Sequence, residues 1–278
     1  LITENDINGI DITLQQLGLT SLINTKKPTP SDEARNIIYF LRNIYYKAVG
    51  ELFSHVKQDI RNPHFGNYNI LKLGFWPGGD RDGNPFVTAE TTMQVADELR
   101  MNLMKCYYAD FKNLRRKLTF REIEDTLAAV QAKLYPSMYD SGKTISFENI
   151  IQPLLAIKSV LVEKYNGLYL DELDSLMDKV NIFKTHFAAL DIRQNHDVHY
   201  RTIQEILKKA GYIKQSLSEL SQGELTGILL HKNIQIHPDL YPDELVKDTI
   251  INIAQLKLIQ EKNGEEGCNR YVISNSED

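Results

Sequence analysis

Along most of this chain apolar residues recur at the three- and four-residue spacing of a helix. They do so at Ile37, Ile38, Leu41, Ile44, Tyr45, Ala48 and Leu52, then at Met93, Ala96, Leu99, Leu103, Phe111, Leu114 and Leu118, and again at Ile123, Leu127, Val130 and Leu134. Three long amphipathic helices are predicted. Thr29, Pro30 and Asp32 supply the first with a cap, a first-turn proline and an acid three residues on, Thr88 caps the second, and Thr119 with Glu122 makes a capping box for the third. After a polar linker over 135–146, further helices are predicted over 147–165, 171–183, 197–210, 222–231 and 242–262. Asn166-Gly167 stops the first of these, and Pro153 implies a kink in it or a first-turn position.

Three stretches break the helical period. Residues 70–76 read as a short buried strand, and 271–274 as another. Between them 186–193 alternates, with Phe187, Ala189, Asp191 and Arg193 on one face and Ala188, Leu190 and Ile192 on the other. Strands this far apart, joined by helical crossovers, pair in parallel. The predicted class is mostly α with a few parallel strands, a partial α/β barrel of TIM type decorated with many helices.

Composition narrows the partners. The 278 residues are 42% hydrophobic with a net charge of -5, and the basic residues are dispersed, which argues against nucleic acid and against a polybasic membrane patch. No apolar run is long enough to span a bilayer and no signal-peptide pattern is present. Cys106 and Cys268 give neither a metal spacing nor a disulfide framework, as expected of reduced thiols in a cytoplasmic protein. The chain begins at Leu1, and only Asn275–Asp278 follow its last strand. The expectation is a single internal segment, 1–278, truncated at both ends.

The chemistry gathers after the first strand. Trp76 and Pro77 lead into Gly78 and Gly79, the charged run Asp80, Arg81 and Asp82, and a second turn at Gly83, Asn84 and Pro85. Two glycines ahead of alternating charges let a backbone approach an anion closely; equally, they make a tight connection in which Asp80 and Asp82 brace Arg81. An EF-hand is excluded by Pro85 at the sixth place and Thr91 at the twelfth, and a P-loop at Gly142-Lys143-Thr144 by Ser137 where a glycine is required. In α/β barrels the active site lies at the C-terminal ends of the strands, so the exits at Trp76, Arg193 and Ser274 are where ligands are expected. Arg193 presents a fork of donors suited to phosphate or carboxylate; its alternative is an ion pair with Asp191 or Asp80. His196 and His199 lack a third metal ligand of suitable spacing and read as surface or capping residues.

The string F-W-P-G-G-D-R-D-G-N-P-F-V-T, 75–88, resembles the signature of phosphoenolpyruvate carboxylase, which reads close to S-W-M-G-G-D-R-D-G-N-P-x-V-T. K-P-T-P-S-D-E-A-R (27–35), L-D-I-R-Q (190–194) and Y-V-I-S (271–274) agree with it in the family's order, so the resemblance covers nearly the whole chain. It implies a helix-decorated barrel and a cytoplasmic, homotetrameric lyase that carboxylates phosphoenolpyruvate with bicarbonate to give oxaloacetate and phosphate, with Mg2+ or Mn2+. By the family's mechanism carboxyphosphate and the pyruvate enolate form first, and the enolate then takes up carbon dioxide. The resemblance makes Arg193 a contact of the substrate phosphate and Trp76 a wall around its methylene group. It makes Gly78, Gly79, Asp80, Arg81, Asp82, Gly83 and Asn84 a loop at the active-site mouth, without individual catalytic steps.

Other features depart from the family. After L-D-I-R-Q it continues E-S-x-R-H, where this chain has Asn195 and His196 for E-S and Val198 before His199. The family's catalytic histidine lies in a His-Pro-Thr motif that does not occur here, since His237-Pro238 is followed by Asp239. Its acidic metal ligands, second set of phosphate-binding arginines and mobile glycine-rich loop correspond to positions after Asp278. No catalytic or metal-ligating residue is therefore assigned, and the chain alone is expected to be inactive. A rival reading is a non-catalytic helical module that binds an anion or a protein.

Overall fold

The computed structural model describes residues 6–20, 27–60 and 65–276; Leu1 and the last two residues, on which the truncation argument drew, lie outside them. Among these residues ten α-helices and three strands follow in the order α1 (Ile7–Leu19), α2 (Pro30–Phe40), α3 (Tyr46–Ile60), β1 (Gly74–Phe75), α4 (Ala89–Lys117), α5 (Arg121–Ser137), α6 (Phe147–Lys164), α7 (Leu170–Phe183), β2 (Ala189–Asn195), α8 (His196–Lys209), α9 (Gln222–His231), α10 (Glu244–Asn263) and β3 (Arg270–Ser274). The strands lie in the order β1-β2-β3, all parallel. The chain is thus mostly helical around a small parallel sheet, and all three strands end on one side.

Local chemistry explains most of the helices. The Thr29 side chain accepts from the Asp32 amide at 3.2 Å, and the Asp32 carboxyl is held below its usual range by the Thr29 hydroxyl, which donates to it at 2.7 Å, and by the Thr29 amide at 3.1 Å. A π-helical turn at Leu41–Tyr45 joins α2 to α3, so the predicted long helix is one rod with a wide turn in it. Helix α4 carries Leu99, Leu103, Tyr107 and Phe111 at the centre of the core and packs on α2, α5, α7 and α10. Residues 166–167 take positive φ and end α6, as the sequence suggested.

Helix α10 binds α4 through a row of polar side chains. Asp248 accepts from the Ala89 amide at 3.0 Å, the Gln255 side chain donates to the Ala89 carbonyl at 2.7 Å, and Asn263 donates to the Ala96 carbonyl at 2.9 Å. Lys262 reaches Asp97 at 3.1 Å. Asp97, Gln255 and Asn263 are buried, and their bonds offset the cost of desolvating them.

Several expectations need correction. The strand predicted over 70–76 contracts to β1, because the Asn67 side chain accepts from Asn69 and starts a turn through Tyr68–Ile70, leaving Ile70 exposed. Strand β2 begins at Ala189: Phe187 has φ +68 in a three-residue turn that the Ala188 amide closes on the His186 carbonyl at 2.9 Å. Aromatic packing of Phe187 on Tyr46 and Phe183 holds that conformation in place. The capping box at Thr119 does not form: Phe120 stands at the cap, and the Glu122 carboxylate pairs with Lys164 at 3.0 Å. Helix α5 runs through Pro136 to Ser137, since a proline in a last turn forfeits only one hydrogen bond. Pro153 lies inside α6, and α1, which was not foreseen, buries none of its own residues.

At the N-terminal end of the sheet a cavity of about 130 Å³ is lined by Leu71, Leu73, Phe183, His186 and Phe187. His186 is buried there with no protein partner at Nδ1, and burial pushes its pKa down to about 4. Below about pH 6.5 the unfolded chain binds a proton that the folded chain refuses, so stability falls as the pH drops from there toward 4. Acidification from pH 7 to pH 5 should cost about 2 kcal/mol through this group, read from urea midpoints, and His186→Leu should remove that part of the slope. An unchanged pH profile in the variant would show that His186 is not the group responsible.

Candidate functional site at the C-terminal end of the sheet

Strand β1 leaves the sheet at Trp76 and the chain turns at once: the Gly79 and Asp80 amides both donate to the Trp76 carbonyl, at 2.9 and 3.0 Å. The loop then returns to the sheet. The Arg193 amide donates to the Gly79 carbonyl at 3.0 Å and the Arg81 amide to the Arg193 carbonyl at 2.9 Å, forming an isolated parallel bridge between Asp80 and Arg193. Thr92 of α4 ties the loop from the other side, donating to the Gly78 carbonyl at 2.7 Å.

Both glycines are required by this packing. A Cβ on Gly79 would stand 2.2 Å from the Asp191 carbonyl oxygen, and one on Gly78, whose φ is +80, would stand 2.5 Å from the Val95 side chain. The close approach they permit is to β2 and α4. Gly83 differs, with φ +68 but open space around it.

The charges of the loop divide between two environments. Arg81 turns inward, its side chain 3% exposed, and meets Asp248 of α10 at 2.6 Å. Asp80 and Asp82 do not brace it. Asp80 lies 3.4 Å from the Arg193 guanidinium, and Asp82 accepts from the Asn195 side chain at 3.4 Å. Asn84 stabilises the following turn by accepting from the Phe86 amide at 3.2 Å. A cleft of about 540 Å³ beside the loop is lined by Arg81, Asn84, Thr88, Gln194, Asn195 and Asp248.

Arg193 turns the other way. Its guanidinium carbon lies 5.1 Å from the centre of the Trp76 ring, a cation–π contact, and its side chain stays 27% exposed. Trp76 is 55% exposed and is not a core aromatic. Its indole N–H donates to Asp191 Oδ2 at 3.2 Å. Asp191 is paired with Arg270 of β3 and not with Arg193.

His199 meets Tyr271 through Nε2 at 3.1 Å, and burial lowers its pKa, helped by the nearby Arg81 charge. Among the described residues no three His, Cys, Asp or Glu side chains converge as a metal site. Two partners escaped the sequence reading: Asp248, one acid in a helical run, and Arg270, whose place opposite Asp191 follows from strand register. No spacing in the sequence marks either.

The phosphoenolpyruvate carboxylase family model matches residues 4–143 and 122–278. This chain belongs to that family. Phosphoenolpyruvate carboxylase of Thermosynechococcus vestitus is 25% identical over 88% of this chain and 30% of its own length, and that of a Synechococcus species is 24% identical over 92% and 30%. The enzyme of Histophilus somni is 29% identical over 69% of the chain and 26% of its own length. The chain spans about 30% of the length of the first two relatives. Among the described residues no helix is long and apolar enough to cross a membrane.

The two kinds of glycine in the family's loop should behave differently. Gly79→Ala should cost about 2 kcal/mol or more by displacing the loop from β2, while Gly83→Ala should cost about 1 kcal/mol from backbone strain alone. Urea unfolding of the two variants checks the order, which a loop loosely attached to the sheet would not produce.

Proposed function

We propose that this chain supplies part of the substrate pocket of a phosphoenolpyruvate carboxylase, which joins bicarbonate to phosphoenolpyruvate and releases oxaloacetate and phosphate. The Arg193 guanidinium carries the reading. It lies near the C-terminal end of β2, which runs on to Asn195, rests on an indole, and among the described residues has one carboxylate 3.4 Å away that leaves donors free. The phosphoryl group needs its charge met while it passes to bicarbonate, and an arginine fork answers that need with paired hydrogen bonds. The exposed face of Trp76 offers the methylene carbon an apolar wall beside the charge. Residues 78–84 frame the mouth of the pocket, and through the bridge at Asp80 they fix the backbone of Arg193.

In this reading the sheet is one sector of a barrel, in a longer protein that works as a cytoplasmic tetramer. Magnesium or manganese would add Lewis-acid stabilisation of the phosphate and the enolate. The described residues offer it no ligand set, so no step is assigned to it here. The chain alone is expected to form no oxaloacetate.

The test is oxaloacetate formation by the longer protein given phosphoenolpyruvate, bicarbonate and magnesium, with the 278-residue chain as control. Arg193→Ala should lower kcat/KM about 100-fold or more, and Arg193→Lys, which keeps the charge but loses the fork, should recover only part of it. Undiminished turnover in Arg193→Ala would overturn the assignment.

A further inference from the structure

Asp191 shares the half-exposed face of β2 with Arg193 and lies directly opposite Arg270 of β3. One of its oxygens, Oδ2, accepts the Trp76 indole N–H at 3.2 Å; the other, Oδ1, lies 2.6 Å from Arg270 Nε. That second contact is out of hydrogen-bond alignment, so the attraction is Coulombic. The pair lies against Gly74 of β1, where a Cβ would stand 3.5 Å from Arg270 and 3.7 Å from Asp191, in ordinary van der Waals contact. The carboxylate itself is only 15% exposed.

Two consequences follow for Arg193. Asp191 is the acid expected to capture a guanidinium two residues along the same strand face, and Arg270 engages it instead. Among the described residues Arg193 keeps only the longer contact with Asp80. Trp76, more than half exposed, has little packing to fix its side-chain torsions, so the bond to Asp191 sets the plane on which Arg193 rests. We propose that Asp191 is a positioning residue: clamped by Arg270, it holds the Trp76 indole in the orientation that aims the Arg193 guanidinium at its anion, without touching that anion itself. The proposal rests on the reading of Arg193 as an anion ligand.

Trp76 is the only tryptophan of the chain, so its emission reports this site alone. The probe is inorganic phosphate, titrated against the 278-residue chain and followed by fluorescence and by calorimetry. Asp191→Ala should lower the anisotropy of Trp76, raise its quenching by acrylamide, and weaken phosphate about fivefold, the worth of one positioning hydrogen bond. Trp76→Phe, at an exposed position, should weaken phosphate to a similar extent. Adding Asp191→Ala to Trp76→Phe should weaken it no further, because the carboxylate acts only through the indole.

Equal phosphate affinity in wild type, Asp191→Ala and Trp76→Phe, with binding lost in Arg193→Ala, would overturn the positioning role and spare the Arg193 reading. A further loss when Asp191→Ala is added to Trp76→Phe would overturn it too, by showing that Asp191 acts through its own charge. Phosphate binding indifferent to Arg193→Ala would overturn the reading of Arg193, and the positioning role with it. Should Asp191→Ala fail to fold, Trp76→Phe decides alone: wild-type affinity there overturns the proposal.

Discussion

The C-terminal end of the sheet depends on one backbone contact, the bridge by which the Gly79 carbonyl and the Arg81 amide take up the amide and carbonyl of Arg193. It extends the β1–β2 pairing past a turn that would otherwise end it. Because each partner is a peptide group, the geometry is independent of what the side chains bind. The absence of a side chain at Gly79 is what lets the two backbones meet. Asp80 is thereby set beside Arg193, Arg81 is turned toward α10, and Trp76 is left at the rim.

The same bridge couples the sheet to the helices. Arg81 enters the interior with its charge, and a buried guanidinium without a carboxylate would be strongly unfavourable. Asp248 meets it and also accepts from the Ala89 amide at the start of α4, where the helix dipole favours a negative group. One carboxylate on α10 thus fixes the start of α4 and the interior end of the loop together. The polar row on α10 continues that attachment along α4.

How much of this was legible in the sequence depended on the range of the interaction. Helices α2, α4 and α6 could be read because their caps and periodicities are local, and α7 from its periodicity alone. The alternation at Ala189–Arg193 showed the two faces of β2 for the same reason. Boundaries failed where a competing bond intervened, a local one at Asn67 ahead of β1 and a distant one from Lys164 to Glu122 at the start of α5. The loop at 78–84 was identifiable by its glycines and charges, but the reason for the glycines was not, because Val95 and the Asp191 carbonyl approach from elsewhere in the fold. For the charges, Asp80 and Asp82 stood close to Arg81 in sequence, while its actual partner lies 167 residues away.

That division of charge separates two arginines that the sequence could not rank by residue type. Arg81 is buried against a carboxylate at 2.6 Å, an arrangement that breaking either partner would leave with an uncompensated charge. Arg193 is partly hydrated, stacked on a ring and only loosely paired. A guanidinium in that state has already lost part of its freedom and part of its water without a tight carboxylate to displace, so an incoming anion meets a smaller cost of ordering and desolvation. Arg81 is instead buried and held through one nitrogen by Asp248 at 2.6 Å, while its Nε and Nη1 find no hydrogen-bond partner among the described residues. Of the two, Arg193 is the more exposed and the more loosely paired, so it can change partners at the smaller cost.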